Sequence, residues 1–286
     1  MSGKILSVSG PDRRYAFPNF SVLLRLSMPI VNSKRIIREL VASYGQSHKS
    51  LQFATEISAY QYLPLYSLLA NYAPLNGQVL DWGTGSGHFS YYLLRAGYQA
   101  SGFGFSEWPL FCQTGQGDNA ALAAANGSYQ YRQGSPDCPV TIPFADAAFD
   151  VVVSVGVLEH VRETGGDEVS SLQEIYRLLK PGGHFICYHF PNRYSWIEFL
   201  ARRTQRFSHP YLFTAQDIRQ LVDATPFQLL DWGRYALLPR NIWQSAIARH
   251  PRWGPLAGTL YNVTDRGLGK LLPWFCQNYY FVLRKP

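Results

Sequence analysis

Gln78-Val79-Leu80-Asp81-Trp82-Gly83-Thr84-Gly85-Ser86-Gly87-His88-Phe89-Ser90-Tyr91-Tyr92-Leu93-Leu94-Arg95 is the stretch on which the fold turns. Residues 78–82 make a short apolar strand, residues 83–87 a glycine loop, and residues 88–95 have helical periodicity that stops at Gly97. A strand that runs through glycines into a helix lets backbone approach a ligand with no Cβ in the way. The start of the helix then offers free N–H donors to an anion. The spacing Gly83, Gly85, Gly87 is GxGxG, whereas the dinucleotide fingerprint is GxGxxG. Taken alone, a glycine triplet is weak evidence, and its bland reading is a tight turn.

Downstream, strands alternate with helices, the pattern of a parallel sheet covered on both faces. Gln99 to Phe105 is the second strand, Asn119 to Ala125 an alanine-rich helix, and Tyr129 to Gly134 the third strand. Phe149 to Val155 is β-branched and almost wholly apolar, as a strand buried on both faces should be. Asp167 to Lys180 is an amphipathic helix ended by Pro181-Gly182-Gly183, and His184 to Phe190 is the fifth strand. Beyond Pro191 the pattern predicts a basic helix over Asn192 to Phe207 and a capping box at Thr214-Ala215-Gln216-Asp217 opening a helix through Val222. Strands follow at Phe227 to Leu237 and Asn278 to Leu283. Arg240 to Trp274, rich in Pro, Gly, Arg and Trp, has weak periodicity. Helices are expected at Ile36 to Tyr44 and Tyr62 to Tyr72. This divides the chain into a helical arm or cap (1–75), a binding core (76–191), and a segment completing the sheet (192–286) with a substrate-cap insertion at about 240–274.

At 286 residues, 47% hydrophobic and 16% charged, the chain can bury a large core, which excludes intrinsic disorder and collagen-like structure. Cys112, Cys138, Cys187 and Cys276 lie far apart with no CxxC pair, so neither a disulfide framework nor a structural zinc site is expected, and no metal ligands are assigned. With no apolar run of signal-peptide or membrane-span length, the expected location is cytoplasmic, with possible peripheral contact at the inner membrane surface. The net charge of +7 is uneven. Residues 1–78 carry 8 basic and 3 acidic side chains, residues 79–191 carry 5 and 11, and residues 192–286 carry 13 and 5.

Four segments in order carry a resemblance. Val79 to Gly87 resembles motif I of the class I S-adenosylmethionine-dependent methyltransferases, of the Rossmann-like type 11 kind. Ile142-Pro143-Phe144-Ala145-Asp146-Ala147-Ala148-Phe149-Asp150-Val151-Val152 is similar to that family's approach to its fourth strand. Val157-Leu158-Glu159-His160-Val161 and Leu178-Leu179-Lys180-Pro181-Gly182-Gly183 resemble its next two landmarks. The resemblance covers residues 79–190 and implies a doubly wound α/β sheet, mostly parallel with an antiparallel last strand, and S-adenosylmethionine as cofactor. It implies that Asp81, Gly83, Thr84 and Gly85 hold the methionine portion, with Gly87 allowing close approach. Phe105, Ser106, Asp137 and Val155 are the further cofactor candidates. Two departures stand out: Gly104 occupies the place where a ribose-binding acid is usual, and Cys138 the place of an acid near the adenine, so Ser106 or Glu107 would substitute at the first and Asp137 or Ser135 at the second.

Methyl transfer to a hydroxyl or amine needs alignment and an acceptor for the proton. His160, just past the fourth strand, and His189, at the end of the fifth, lie at the sheet edge where ligands bind in this topology and are the candidate bases. Each is equally readable as a structural histidine. No Asn/Asp-Pro-Pro-Tyr/Phe segment follows the fourth strand, where Ser154-Val155-Gly156-Val157 stands, so nucleic-acid base methylation is disfavoured. The basic flanks, interleaved with Trp, Phe and Leu, fit an anionic surface or carrier. The expected function is O-methylation of a small-molecule, glycan or glycolipid-like acceptor. The alternatives are a non-catalytic binding or regulatory relative and, further off, an NAD(P)-dependent oxidoreductase.

Overall fold

The computed structural model describes residues 29–44, 51–106, 129–206, 208–242, 250 and 252–286. The helix expected at Asn119 to Ala125 lies outside these residues. The elements in order are α1 (Pro29–Tyr44), α2 (Glu56–Ala59), α3 (Leu63–Tyr72), β1 (Gln78–Trp82), α4 (His88–Arg95), β2 (Gln99–Gly104), β3 (Gln130–Gln133), β4 (Phe149–Val155), α5 (Glu168–Leu178), β5 (Leu179–Pro191), α6 (Trp196–Arg203), α7 (Ala215–Asp223), β6 (Gln228–Tyr235), α8 (Trp253–Leu271) and β7 (Asn278–Arg284).

The seven strands form one sheet in the order β3-β2-β1-β4-β5-β7-β6. β1 pairs in parallel with β2 and β4, β2 with β3, and β4 with β5; β7 runs antiparallel between β5 and β6. Strand alternation divides the core into two layers. Val79, Val151, Val153 and Ile186 pack against α1, α3 and α4, while Leu80, Val152 and Phe185 pack against α5 and α7. A β4 of near-continuous valine is what a strand covered on both faces requires.

Four expectations are corrected. The helix beginning at Asp167 ends at Leu178 rather than Lys180, because Leu179 already pairs with Phe149. Pro181-Gly182-Gly183 then lies within β5, tied by the Gly182 N–H to the Lys285 carbonyl and by the Lys285 N–H to that of Gly183. The basic helix is shortened to Trp196–Arg203: Asn192 instead donates its side-chain amide to the carbonyls of Trp274 and Cys276, and Ser195 caps the helix by accepting from the Glu198 N–H. The strand over 227–237 is Gln228–Tyr235.

The fourth correction is α8, nineteen residues inside the segment of weak periodicity. Its buried positions are Gly254, Gly258, Asn262 and Asp265, so the stripe facing the protein is small and polar. A Cβ on Gly258 would come within 3.1 Å of the Glu56 carbonyl, so glycine is what lets α8 lie directly on α2. Asn262 and Asp265 accept from the Arg240 guanidinium, and Asp265 also accepts the Leu238 N–H. The apolar side chains of α8 point outward, among them Leu256 at 61%, Leu260 at 69% and Val263 at 64% exposure. No helix among the described residues is long and apolar enough to cross a membrane.

Candidate functional site

β1 ends in the glycine loop, where Gly83, Gly85 and Gly87 all take positive φ (81°, 51° and 82°). The N–H groups of Gly83 and Thr84 both donate to the Phe103 carbonyl at 2.9 Å, tying the loop to the end of β2. The Thr84 hydroxyl donates to the same carbonyl and to that of Asp81. A Cβ on Gly83 would lie 2.3 Å from Val157, so this glycine is required by packing. Among the described residues, a Cβ on Gly85 would meet nothing nearer than the Gly83 carbonyl at 3.8 Å, so this glycine leaves its backbone open toward a ligand there. Gly87 is the left-handed N-cap of α4.

Beside the loop lies a cavity of about 210 Å³ lined by Gly83, Gly85, Gly104, Phe105, Tyr131 and His160, with Ser106 and Pro139 also on its wall. It brings together Gly83, Gly85, Phe105, Ser106 and His160 of the sequence candidates. Thr84 is 3% exposed and off the cavity wall, its N–H being taken up by the Phe103 carbonyl. Asp81 is 2% exposed, behind the loop, and its carboxylate accepts from the Ser90 hydroxyl on α4 at 2.6 Å. Burial pushes its carboxyl up to about 7. Asp137 is exposed and outside the lining, although Pro139 two residues on is part of it. Val155 pairs with Tyr188 and packs against the α1, α3 and α4 layer.

The Gly104 departure has a structural counterpart. A Cβ there would lie 2.9 Å from the Tyr131 hydroxyl, which donates to the Ser106 carbonyl at 2.6 Å. The space an acidic side chain would take is thus occupied by the neighbouring strand.

The two histidines differ in kind. His160 sits in the 3-10 turn Leu158–Thr164 with Nδ1 2.7 Å from Glu163 Oε1 and Nε2 4.0 Å from Glu159 Oε1. His189 lies where β5 skips register against β7, with φ +69°. Its backbone N–H donates to the Tyr235 hydroxyl at 2.8 Å, and that hydroxyl lies 2.8 Å from its own Nδ1. The Asn278 amide nitrogen, a donor, also lies 3.4 Å from Nδ1, and on that ground Nδ1 is assigned as an acceptor with the imidazole proton on Nε2. Burial, followed by His88, lowers the His189 pKa to about 3. His189 is therefore a neutral hydrogen-bond donor.

Residues the sequence reading missed pack about the two histidines, although His189, Phe53, Tyr62 and His88 lie off the cavity wall. His88 lies 5.0 Å from the Phe53 ring and 5.2 Å from that of Tyr62, and Tyr62 meets His189 edge-on at 5.3 Å. Burial takes His88 down to about 4, leaving a neutral ring at the start of α4. The segment ahead of β1 thus supplies an aromatic wall over the sheet edge. Glu159 is 2% exposed, and burial, with the charge of Glu163 behind it, raises its carboxyl to about 8. His209 stacks at 5.6 Å on His160. Only the adjacency of Glu159 to His160 gave any sequence signal for this group.

An open glycine loop at the carboxyl edge of a sheet with a reversed last strand defines a Rossmann-like, class I methyltransferase architecture. The chain belongs to the methyltransferase-domain family, which matches residues 54–231, more than half of it. An arsenite methyltransferase from Aquipseudomonas alcaligenes is 34% identical over 109 residues, 37% of this chain and 30% of its own length. A ubiquinone/menaquinone biosynthesis C-methyltransferase from Geotalea daltonii is 31% identical over 150 residues, 50% of this chain and 53% of its own. This chain therefore spans between 30% and 53% of these relatives. In fold, the chain is similar to Burkholderia thailandensis 1,6-didemethyltoxoflavin-N1-methyltransferase, solved with its acceptor and S-adenosylhomocysteine, at TM-score 0.51, 18% identity and 91% of each chain. The cofactor is S-adenosylmethionine. Membership of this family ends the case for a dinucleotide oxidoreductase.

Proposed function

We propose that the protein transfers the methyl group of S-adenosylmethionine to an oxygen of a small-molecule, glycan or glycolipid-like acceptor. The observation that carries this reading is His160, held by Glu163 on the wall of the cavity that Gly83 and Gly85 also line. The bound cofactor supplies an electrophilic methyl on a sulfonium. The open backbone at Gly85 and the buried Asp81 suit its methionine portion, and Phe105, 37% exposed on the cavity wall, suits a flat face of its adenine. With no acid at position 104, the Ser106 hydroxyl is the polar side chain nearest in sequence for the ribose.

His160 Nε2 takes the acceptor's proton while Nδ1–H stays on Glu163. His189 donates from Nε2 and orients the acceptor, with Phe53, Tyr62 and His88 excluding water. The named relatives act at arsenic, carbon and nitrogen, so the choice of oxygen rests on these histidines of this chain. A peripheral contact with an anionic membrane is supported by Phe199, Leu200, Trp253, Leu256 and Leu260, all exposed, beside Arg202, Arg203 and Arg252.

The test is incubation with methyl-labelled S-adenosylmethionine and separate lipid, glycan, protein and nucleic-acid fractions. Label recovered in a base-stable methyl ether from lipid or glycan is expected. Label confined to nucleic acid or protein overturns the reading.

A further inference from the structure

Glu159 is buried to 2% exposure, and its Oε2 has no hydrogen-bond partner among the described residues. A carboxylate shielded from water with one oxygen unsatisfied is costly unless a cation or donor meets it. Around it stand two imidazoles: ligand-type atoms of Glu159, His160 and His209 all lie within 4.8 Å of one another. His160 Nδ1 is 2.7 Å from Glu163 Oε1, and His209 Nδ1 is 2.9 Å from Glu198 Oε1. Glu198 is itself buried and fixed by the His209 N–H and the Gln277 amide. An imidazole that gives one ring N–H to a carboxylate while its other nitrogen faces a cluster of acceptors is the usual setting of a metal-ligating histidine.

We propose that Glu159, His160 and His209 form a binding site for a divalent cation of the zinc class, with positions left open toward the cofactor cavity that His160 lines. Two imidazoles and one carboxylate favour zinc, iron or cobalt over magnesium or calcium. Ligand atoms on a tetrahedral ion with bonds of about 2.0–2.1 Å stand about 3.3 Å apart, so side-chain rotations of about 1 Å close the site. The chemistry such an ion supplies is Lewis-acid binding of an acceptor oxygen. That role, and not the site, rests on the proposed reaction: His160 is the base of the metal-free site, and with the ion in place it would serve as a ligand while the acceptor hydroxyl, acidified by the ion, would give its proton to solvent.

The test uses the untagged full chain after chelator treatment, titrated with Co²⁺ followed by visible absorption and with Zn²⁺ by calorimetry. One equivalent bound with a low-coordinate cobalt spectrum is expected, weakened at least tenfold in Glu159→Gln and in His209→Gln. Glu163→Gln, an exposed position that touches only His160 Nδ1 in this group, should weaken uptake about tenfold with unchanged circular dichroism, so a folding defect at His209 does not decide the matter. Absence of stoichiometric uptake, or uptake unaltered in both Glu159→Gln and Glu163→Gln, overturns the proposal. Uptake is read without acceptor, so an acceptor atom other than oxygen would overturn the proposed reaction and leave the metal result standing.

Discussion

Asp81→Asn keeps the side chain's size and the oxygen that accepts from Ser90 while removing its charge. In the unfolded chain this carboxyl ionises near its ordinary value of 3.8; burial in the fold moves it to about 7. A gap of about three pH units corresponds to about 4 kcal/mol at 1.36 kcal/mol per unit. The folded pKa is raised, so the contribution is fully present below pH 4, declines as pH rises to 7, and is flat beyond. Asparagine does not titrate. Relative to wild type, Asp81→Asn should therefore be near neutral at pH 4 and more stable by up to about 4 kcal/mol at pH 8. A protein that retains such a penalty gains something from the charge, and the cofactor's ammonium is the partner the motif implies. Losing one charge-assisted hydrogen bond of about 1.5–3 kcal/mol weakens binding about tenfold to about 150-fold. Urea unfolding at pH 4.5 and 8, with calorimetric binding of S-adenosylmethionine at pH 8, reads both effects. Wild-type affinity in Asp81→Asn, together with a stability difference that does not grow with pH, would refute the argument.

Gly83→Ala and Gly85→Ala should separate packing from binding: the first drives a Cβ into Val157 and lowers the melting temperature, and the second lowers cofactor affinity with only the cost of about 1–2 kcal/mol for a left-handed residue. Removing the Tyr131 hydroxyl leaves its nearest atom 3.8 Å from a Cβ at position 104, so Gly104→Asp should tighten cofactor binding about tenfold in a Tyr131→Phe background and not alone; equilibrium dialysis decides. His88 and His189, lowered to about 4 and about 3, stabilise the fold fully above the unfolded value near 6.5 and less as pH falls. In an Asp81→Asn, Glu159→Gln background, which removes the two buried carboxyls whose raised pKa values act in the opposite direction, moving from pH 7.5 to 5 should cost about 2 kcal/mol for each, and His189→Asn, which suits the left-handed backbone, should remove about half of the drop in urea titrations. Co-sedimentation with phosphatidylglycerol vesicles, absent with phosphatidylcholine and lost at 0.5 M salt, is expected of the exposed faces of α6 and α8; Phe199→Ser with Leu260→Ser should abolish it.

The part of the fold legible in the sequence is the part where burial and hydrophobicity coincide. β4 announces itself because Val151, Val152 and Val153 face apolar layers on both sides, and the glycine loop because positive φ leaves few residue choices. α8 and α6 fail that rule. In α8 the buried stripe is Gly254, Gly258, Asn262 and Asp265, because backbone contact with α2 needs glycine and Arg240 needs acceptors. In α6 the buried residue is Glu198, which holds His209. Helical periodicity is therefore present but inverted: the sequence reading finds no helix over α8 and gives α6 only as a basic helix with wider bounds, Asn192 to Phe207.

The same inversion hid the histidine cluster. His209 belongs to no motif, and it reaches His160 because a buried glutamate on an inverted helix fixes its ring. The positions that depart from local expectation, Gly104 against Tyr131, His189 in left-handed backbone, and Glu198 buried beneath exposed Phe199, all belong to the cleft or to what supports it. Stability alone would favour replacing each with the residue its place predicts. Their concentration at one edge of the sheet is the expected mark of a site whose geometry is maintained for chemistry.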